Sequence, residues 1–456
     1  MGIVQAKGMD SSRRKDAYSR YKQVPLDQMP AKVRRVVVDG LGRTKNDIVV
    51  KEVKSIFEAK NFQEMVHRTH DVKVRFEKLG LFRSIKIMVD NLKEDSVSTD
   101  NYEVTFEVEE LRRVSGGINT LIGTNDASLL LGMKLPNMFG RGEKSIFEYS
   151  HGTKTNRGQN FTFYAPLHGN PDTMFSSGVY QSSMEYPWSG YVETSRGTSI
   201  DFTLPSYFGS HCLRLEGVWR DLRALSRTTA FAVREQAGHT LKSSIKHEFV
   251  KDTRDDPIIP RHGFLLKIID EYAGLGGNVE YLKNEIEFQG TKSLFFDCSV
   301  QMSLAGGMMK PLATNNELKI NDRFFLGGPL TLRGFTLKGV GPHSDGNALG
   351  ADTYWLAALH LYTPLPFRPG KGGFGELFRT HLFVNAGNLA NLKLSDGPRG
   401  ILNGLKSNYR VSYGGGIVLR MGRVARLELN YVVPLHICQG DSVNPGLQFG
   451  IGFVFL

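Results

Sequence analysis

The last ten residues of this 456-residue chain alternate between two kinds of side chain. One set is apolar and the other is small or polar: Leu447, Phe449, Ile451, Phe453 and Phe455 against Gln448, Gly450 and Gly452. Successive side chains of a strand point to opposite faces, so this pattern is typical of a strand between lipid and a lumen. Unpaired backbone groups are costly in hydrocarbon, and the last strand must therefore find a partner. The segment predicts a transmembrane β-barrel whose last strand meets its first.

The rest of the composition agrees with short strands and not with membrane helices. No run approaches the roughly eighteen consecutive apolar residues of a transmembrane helix, whereas 50 glycines and 28 phenylalanines suit tight turns and aromatic belts. The net charge of +11 is compatible with nucleic acid, anionic lipid or a cationic pore, and no nucleic-acid motif favours the first. The three cysteines are scattered, which indicates packing residues and no disulfide or zinc framework.

Three regions follow one another along the chain. Residues 1–31 are polar and basic and predict a flexible segment, and Met1–Asp10 lacks the apolar core of a secretory signal. Residues 32–112 predict a small α+β domain, and residues 113–456 the barrel. The α+β domain is expected to have the order β-α-α-β-β, in the ranges Val33–Val38, Asn46–Lys60, Phe62–Leu79, Arg83–Val89 and Tyr102–Glu109.

From about Arg113 the hydrophobic period is two, and no helix is expected there. About 340 residues at roughly twenty per strand predict about sixteen antiparallel strands. The first strand, near Val114–Gly123, contains Gly116 and Gly117, which weaken a strand interior. We therefore expect a weak seam, a lateral gate, between the first and last strands, formed by Gly116, Gly117, Ile118, Leu121, Gln448, Gly450, Phe453 and Phe455.

A long connection that runs to about Asp352 carries the most specific motif, Leu332, Arg333, Gly334 and Phe335, after Arg323–Gly328. This motif is similar to the signature loop of the outer-membrane-protein assembly insertases, the superfamily of the bacterial BAM barrel and its organelle relatives. The β-α-α-β-β unit, with Gly40–Thr44 and Leu79–Phe82, resembles a single polypeptide-transport-associated (POTRA) domain. The resemblance implies that the loop folds into the lumen and that Arg333 meets polar groups of the wall.

Two assignments are open for the partner of Arg333. Relatives commonly offer carboxylates on neighbouring strands, and this chain has His360 and Asn385 at those places. In Arg426–Tyr431 the polar residues share one face, so Glu428 is expected to point into the lumen and to pair with Arg333.

Other polar clusters have structural interpretations. Asp252–Pro257, with Pro260 and Gly263, could suggest a metal site but favours a turn, and it resembles a turn common in the same insertases. No Ser, His and acid grouping has a spacing that singles it out. We therefore expect no enzymatic chemistry, no metal and no cofactor.

The terminal residues Gln448, Gly450, Phe453 and Phe455 also match the degenerate mitochondrial β-signal. With a single POTRA-like unit, this favours the mitochondrial branch of the family. The resemblance implies an outer-membrane insertase for β-barrel precursors, with its N-terminal domain in the intermembrane space. Implied partners are those precursors, accessory subunits of the assembly complex, inner-membrane scaffold (cristae-organising) proteins and the lipid bilayer. The alternatives are a passive outer-membrane pore and an anchoring subunit.

Overall fold

The computed structural model describes residues 29–91, 101–122, 127–153, 156–312, 318–365, 374–391, 397–422 and 425–452. The chain divides into two compact units, the first formed by residues up to Arg113 with Pro136–Glu143, and the second by Val114–Leu135 with Lys144–Leu456. Within the described residues, no helix is both long enough and apolar enough to cross a bilayer.

The first unit contains a three-stranded sheet covered by two helices. Its elements are β1 (Lys32–Asp39), α1 (Asn46–Val53), a 3-10 turn (Lys54–Glu58), α2 (Phe62–Leu79), β2 (Phe82–Asn91) and β3 (Asn101–Glu110). Strand β3 is central, parallel to β1 and antiparallel to β2. The element order matches the sequence prediction, except that the first helix ends at Val53 and continues only as a 3-10 turn.

Local capping and apolar spacing explain α2. The Asn61 side chain accepts a hydrogen bond from the Glu64 N–H, and Gly80 ends the helix in the left-handed conformation at φ 64°. Met65, Val72 and Phe76 lie at helical spacing and are completely buried against the sheet.

Glu110, the last residue of β3, organises the turn after β1. Its carboxylate accepts hydrogen bonds from the Gly42, Arg43 and Thr44 N–H groups and from the Thr44 hydroxyl. Burial raises the pKa of Glu110, but the hydrogen bonds from Thr44, Arg43 and Gly42 outweigh it and lower the pKa to about 2. Asn137 donates in turn to the Thr44 hydroxyl at 2.9 Å.

The second unit is one antiparallel sheet of sixteen strands, as the chain length predicts. The strands are β4 (Ser115–Ile122), β5 (Ala127–Pro136), β6 (Lys144–Gly152), β7 (Arg157–Pro166), β8 (Met174–Tyr186), β9 (Tyr191–Pro205), β10 (Ser210–Ala224), β11 (Gly238–Asp252), β12 (Gly263–Gly277), β13 (Tyr281–Ser293), β14 (Ser299–Pro311), β17 (Thr353–Thr363), β18 (Phe378–Ala390), β19 (Arg410–Met421), β20 (Ala425–His436) and β21 (Gly446–Gly452). The short pair β15 (His343–Ser344) and β16 (Asn347–Ala348) lies in the connection between β14 and β17.

Alternation along each strand separates two faces. On β20, Arg426, Glu428 and Asn430 are buried, whereas Leu429 and Tyr431 are exposed. The described part of the last strand behaves in the same way: Leu447 and Phe449 are 71% and 53% exposed, and Gln448 between them is 5% exposed. The exposed row is apolar and the buried row is polar, which is the arrangement of a barrel wall between lipid and a filled lumen.

The expectation that no helix follows Arg113 is wrong. Helices α3 (Phe231–Arg234) and α4 (Gly397–Lys406) occupy the connections between β10 and β11 and between β18 and β19, and 3-10 turns lie at Leu167–Gly169 and Phe374–Leu377. A connection can form local backbone hydrogen bonds without disturbing the strands on either side, so the period-two pattern of the strands contained no information about it.

Candidate functional site

The connection between β14 and β17 forms the centre of the candidate site. Leu332, Arg333 and Phe335 are all completely buried, although they belong to a loop. Gly334 has φ +90°, and an added Cβ would lie 3.2 Å from a methyl of Val432 and 3.3 Å from the Ser412 Cβ. A glycine is therefore needed both for the backbone conformation and for the close approach to the sheet.

Arg333 and Glu428 form a buried ion pair. The Arg333 Nε and Nη2 atoms donate to Glu428 Oε2 at 3.2 Å and 2.9 Å, and the two side chains are 0% and 1% exposed. The guanidinium also lies 5.0 Å from the centre of the Phe383 ring. The alternation of β20 turns Glu428 toward the loop, as it does Asn430, which donates to the same carboxylate oxygen at 2.9 Å.

A second cation shares this carboxylate. Arg426 Nη2 lies 3.0 Å from Glu428 Oε1, and its own side chain is 4% exposed. Glu428 thus lies against two buried guanidinium groups and its single negative charge is shared between them, which matters because charges away from water are stable only when they are paired.

The other two candidate partners of Arg333, Asn385 and His360, make different contacts. Asn385 donates from its amide to the Thr331 carbonyl at 3.3 Å, directly beside the motif. His360 is completely buried, and its Nδ1 lies 2.9 Å from Nε2 of His381.

The last strand also holds the loop, a contact that the sequence reasoning missed. Gln448 Oε1 accepts a hydrogen bond from the Gly334 N–H at 3.0 Å, and Nε2 donates to the Phe335 carbonyl at 3.3 Å. The alternation placed Gln448 on the inner face, but nothing in the pattern identified the loop backbone as its partner.

A second ion pair holds the start of the loop, and the sequence reasoning missed it as well. Arg220 of β10 donates through both terminal nitrogens to Asp322 at 2.8 Å and 3.0 Å, with side-chain exposures of 6% and 4%. The Tyr281 hydroxyl donates to the same carboxylate at 3.2 Å. Alternation with Trp219 marks Arg220 as an inner residue, and Asp322 directly precedes Arg323–Gly328, so this signal was present in the sequence.

Those of the proposed gate residues that the structure describes lie on the two strands at the ends of the sheet order, β4 and β21. Gly116, Gly117, Ile118 and Leu121 pair with Met133, Gly132, Leu131 and Ser128 of β5. Ile118 is 71% exposed, and no atom lies within 4 Å of a Cβ built on Gly117. Gly450 pairs with Glu428, whereas Phe453 and Phe455 lie outside the described residues.

The segment Asp252–Pro257 forms a turn. Asp252 accepts hydrogen bonds from the Arg254 backbone and side chain, and Asp255 accepts from the Arg261 and His262 N–H groups. These are the contacts of carboxylates that stabilise a connection between two strands, here β11 and β12.

Comparison with known proteins defines the class. Residues 137–455 match the model of the Omp85 superfamily domain, and a sixteen-stranded sheet around a buried loop is consistent with it. The structure of BamA from Haemophilus ducreyi lacking POTRA domains 1-3 is similar in fold, with a TM-score of 0.73 over 92% of this chain and 85% of that one, at 18% sequence identity.

Sequence relatives define the family within that class. The chain is 47% identical to the sorting and assembly machinery component 50 homologs of Bos taurus and of Homo sapiens, over 95% of its own length and 92% of theirs. A SAM50-like protein of Drosophila melanogaster is 32% identical over 98% of this chain and 100% of that one. The chain belongs to the sorting and assembly machinery component 50 family of the Omp85 superfamily. It is a β-barrel protein of the mitochondrial outer membrane.

Proposed function

We propose that this protein folds β-barrel precursors and inserts them into the mitochondrial outer membrane, without covalent chemistry. The observation that carries the proposal is the position of β4 and β21 at the two ends of the sheet order. A strand at the end of a sheet offers backbone N–H and C=O groups to a further strand. The names of the relatives, components of a sorting and assembly machinery, agree with this role.

The mechanism follows from the physics of strand addition. A precursor's terminal strand adds to β4 by β-augmentation, and its later hairpins add in turn, so that backbone groups remain paired while they enter lipid. Gly116 and Gly117 contribute no side chain to packing between β4 and its neighbours. A seam that β4 forms with another strand is therefore weaker than a seam between two fully packed strands.

An engineered lock tests this mechanism. Cys212, Cys298 and Cys438 are first replaced by serine. One cysteine is then introduced at successive positions of β4 and another at successive positions of β21. The double-cysteine variants that form a disulfide between the two strands are used for the test. Oxidised protein in liposomes should no longer fold an added β-barrel precursor, and reduction should restore folding. Folding is measured by the heat-sensitive shift of the precursor's gel mobility.

The register of β20 and β21 provides a matched control. Leu429 and Phe449 are direct cross-strand neighbours, so a Leu429→Cys/Phe449→Cys disulfide adds the same bond without joining β21 to β4. This control should fold precursors like the reduced protein. Full insertion by the β4–β21 lock would contradict the lateral-gate mechanism.

The first unit is proposed to lie in the intermembrane space as a POTRA-like domain and to contact inner-membrane scaffold proteins. Lys32, Arg34 and Arg35 of β1 supply cationic groups for such a contact. Accessory subunits of the assembly complex are further proposed partners. Deletion of residues 32–110 should reduce co-purification of scaffold proteins while precursor insertion in liposomes is retained.

The passive pore is the second candidate, since sixteen strands can surround an aqueous channel. The buried ion pairs of Arg333 and Asp322 hold the loop against the wall at two places, which opposes free permeation. Deletion of the loop should raise single-channel conductance and abolish precursor folding. Raised conductance with undiminished folding would favour the pore.

A further inference from the structure

The outer face of β6–β9 carries a polar cavity of about 530 Å³, lined by Tyr149, Arg157, Gly158, Gln159, Gln181, Ser183 and Thr194. We name the six side chains of this set, without Gly158, the donor patch. Each of them can donate a hydrogen bond, and Arg157 adds a permanent positive charge. Among the described residues that line the cavity there is no carboxylate.

The strand register shows that the donor patch is one continuous surface. Tyr149 pairs with Gln159, and Gln159 pairs with Gln181, which form one row across β6, β7 and β8. A second row joins Arg157 to Ser183, and Ser183 to Thr194. The Ser183 and Thr194 hydroxyls are 3.2 Å apart and hydrogen-bonded.

The surroundings of the patch extend its chemistry. Arg196 pairs with Gln181 and places a second guanidinium at the end of the first row, 5.5 Å from the Trp219 ring. The second row ends at Asp221, whose carboxylate is paired with Arg223 at 2.6 Å. One guanidinium thus belongs to each row, Arg157 in the second and Arg196 at the end of the first, and the acid beyond the second row is paired.

An apolar row lies next to the donor patch on the same face. Phe147 pairs with Phe161, and Phe161 pairs with Val179. These three side chains are 41%, 44% and 56% exposed, as expected of residues that contact lipid.

The patch lies near one edge of the barrel wall. Tyr149 and Ser183 are three residues from the ends of β6 and β8, and Thr194 is three residues from the start of β9. At about 3.3 Å per residue this is roughly 10 Å from the strand ends. The strands alternate in direction, so this edge is opposite to the one at which β4 begins. From this edge toward the middle of the wall, the polar rows come first and the apolar row follows. This order matches the change from headgroups to acyl chains in one leaflet.

We propose that the donor patch binds the phosphate headgroup of an anionic phospholipid, with its acyl chains along Phe147, Phe161 and Val179. Hydrogen-bond donors around a guanidinium are the groups that recognise a phosphate. The adjacent apolar row offers a contact surface for acyl chains. Inorganic phosphate has no acyl chain to place there, so the occupant is a lipid.

The test uses the full chain in nanodiscs of phosphatidylcholine and phosphatidylglycerol, released into native mass spectrometry. The wild-type protein should retain one phosphatidylglycerol in preference to phosphatidylcholine. Arg157→Gln should lower this retention about tenfold, the loss expected for a charge-assisted hydrogen bond. Lys292→Gln is the matched control, because Lys292 is an exposed cation near the end of β13 and outside the patch. Heat-sensitive gel mobility verifies that both variants are folded.

Two further measurements distinguish a bound phospholipid from bound inorganic phosphate. Excess inorganic phosphate should leave the bound lipid in place, and a phosphatidylglycerol with a photoreactive acyl chain should label peptides that contain Phe161 or Val179. Equal retention of the two lipids, an unchanged Arg157→Gln variant, or displacement by free phosphate would each overturn the proposal. Labelling spread evenly around the barrel would overturn it too, and displacement by a membrane protein partner would assign the patch to that partner instead.

Discussion

Replacement of Glu428 by glutamine removes the carboxylate that pairs with both Arg333 and Arg426. The three side chains are at most 4% exposed, so water cannot take over the lost interaction. Removal of one partner from a buried ion pair costs about 3–5 kcal/mol, because an uncompensated charge is left behind. Glutamine keeps one acceptor oxygen for the 2.9 Å contact with Arg333, so we expect about 3 kcal/mol for Glu428→Gln and about 5 kcal/mol for Glu428→Ala.

The free energy of unfolding of the barrel in lipid vesicles, from reversible urea denaturation, measures this loss. A double-mutant cycle with Arg333→Met isolates the pair, and its coupling energy should be about 1.5–3 kcal/mol. Protease cleavage within the loop should become faster in Glu428→Gln, since the ion pair holds Arg333 against the wall.

Asp201→Asn serves as the matched control for this experiment. Asp201 pairs with Arg214 at 2.6 Å on the inner face of β9 and β10, and the Arg214 side chain is 44% exposed. Its replacement should cost less than about 1 kcal/mol, because a solvated cation needs no partner. Equal losses in the two variants, or an unchanged loop in Glu428→Gln, would refute the assignment of Glu428 as the residue that holds Arg333.

Three other substitutions test separate parts of the structure. Asp322→Asn leaves Arg220 buried without its carboxylate and should cost about 3–5 kcal/mol in the same unfolding assay, and a loss below 1 kcal/mol would contradict the second loop contact. Gly334→Ala should cost about 1–3 kcal/mol because of its positive φ, whereas Gly217→Ala, which has no atom within 4 Å of the added Cβ, should cost far less. Glu110→Gln should destabilise the first unit by about 1.5–3 kcal/mol at pH 7. The pKa of Glu110 is lowered from 4.5 to about 2 by folding, so its contribution is present above pH 4.5 and the difference from the variant should vanish as the pH falls toward 2. Urea unfolding followed by a fluorophore on the first unit checks this, and a difference independent of pH would exclude the charge as its cause.

The parts of the fold that sequence could predict are those set by local periodicity. The helix Phe62–Leu79 was predicted with its bounds from its regular apolar spacing, and the structure shows an asparagine cap and a terminal glycine at its two ends. The sixteen strands follow from the length of the period-two region, and the inward direction of Glu428 follows from the period itself, so neither needs knowledge of distant residues.

Contacts between distant residues were harder to predict. Gln448 and the Gly334 N–H are 114 positions apart, and Arg220 and Asp322 are 102 apart. Alternation shows which side chains enter the lumen, but their choice of partner depends on the path of a loop with no repeat of its own. For the same reason α4 was missed, since it lies in a connection whose structure the strand pattern does not determine.

The hydrogen bonds of Gln448 join the last strand to backbone atoms of the loop, at Gly334 and Phe335. Any outward displacement of β21 relative to the loop breaks them, at about 0.5–1.5 kcal/mol each. By thermodynamic reciprocity, a ligand or guest strand that displaces β21 also loosens the loop, and whatever holds the loop tightly keeps β21 in place. Because main-chain atoms provide the contact, this linkage survives replacement of the Phe335 side chain by any residue that preserves the path of the loop.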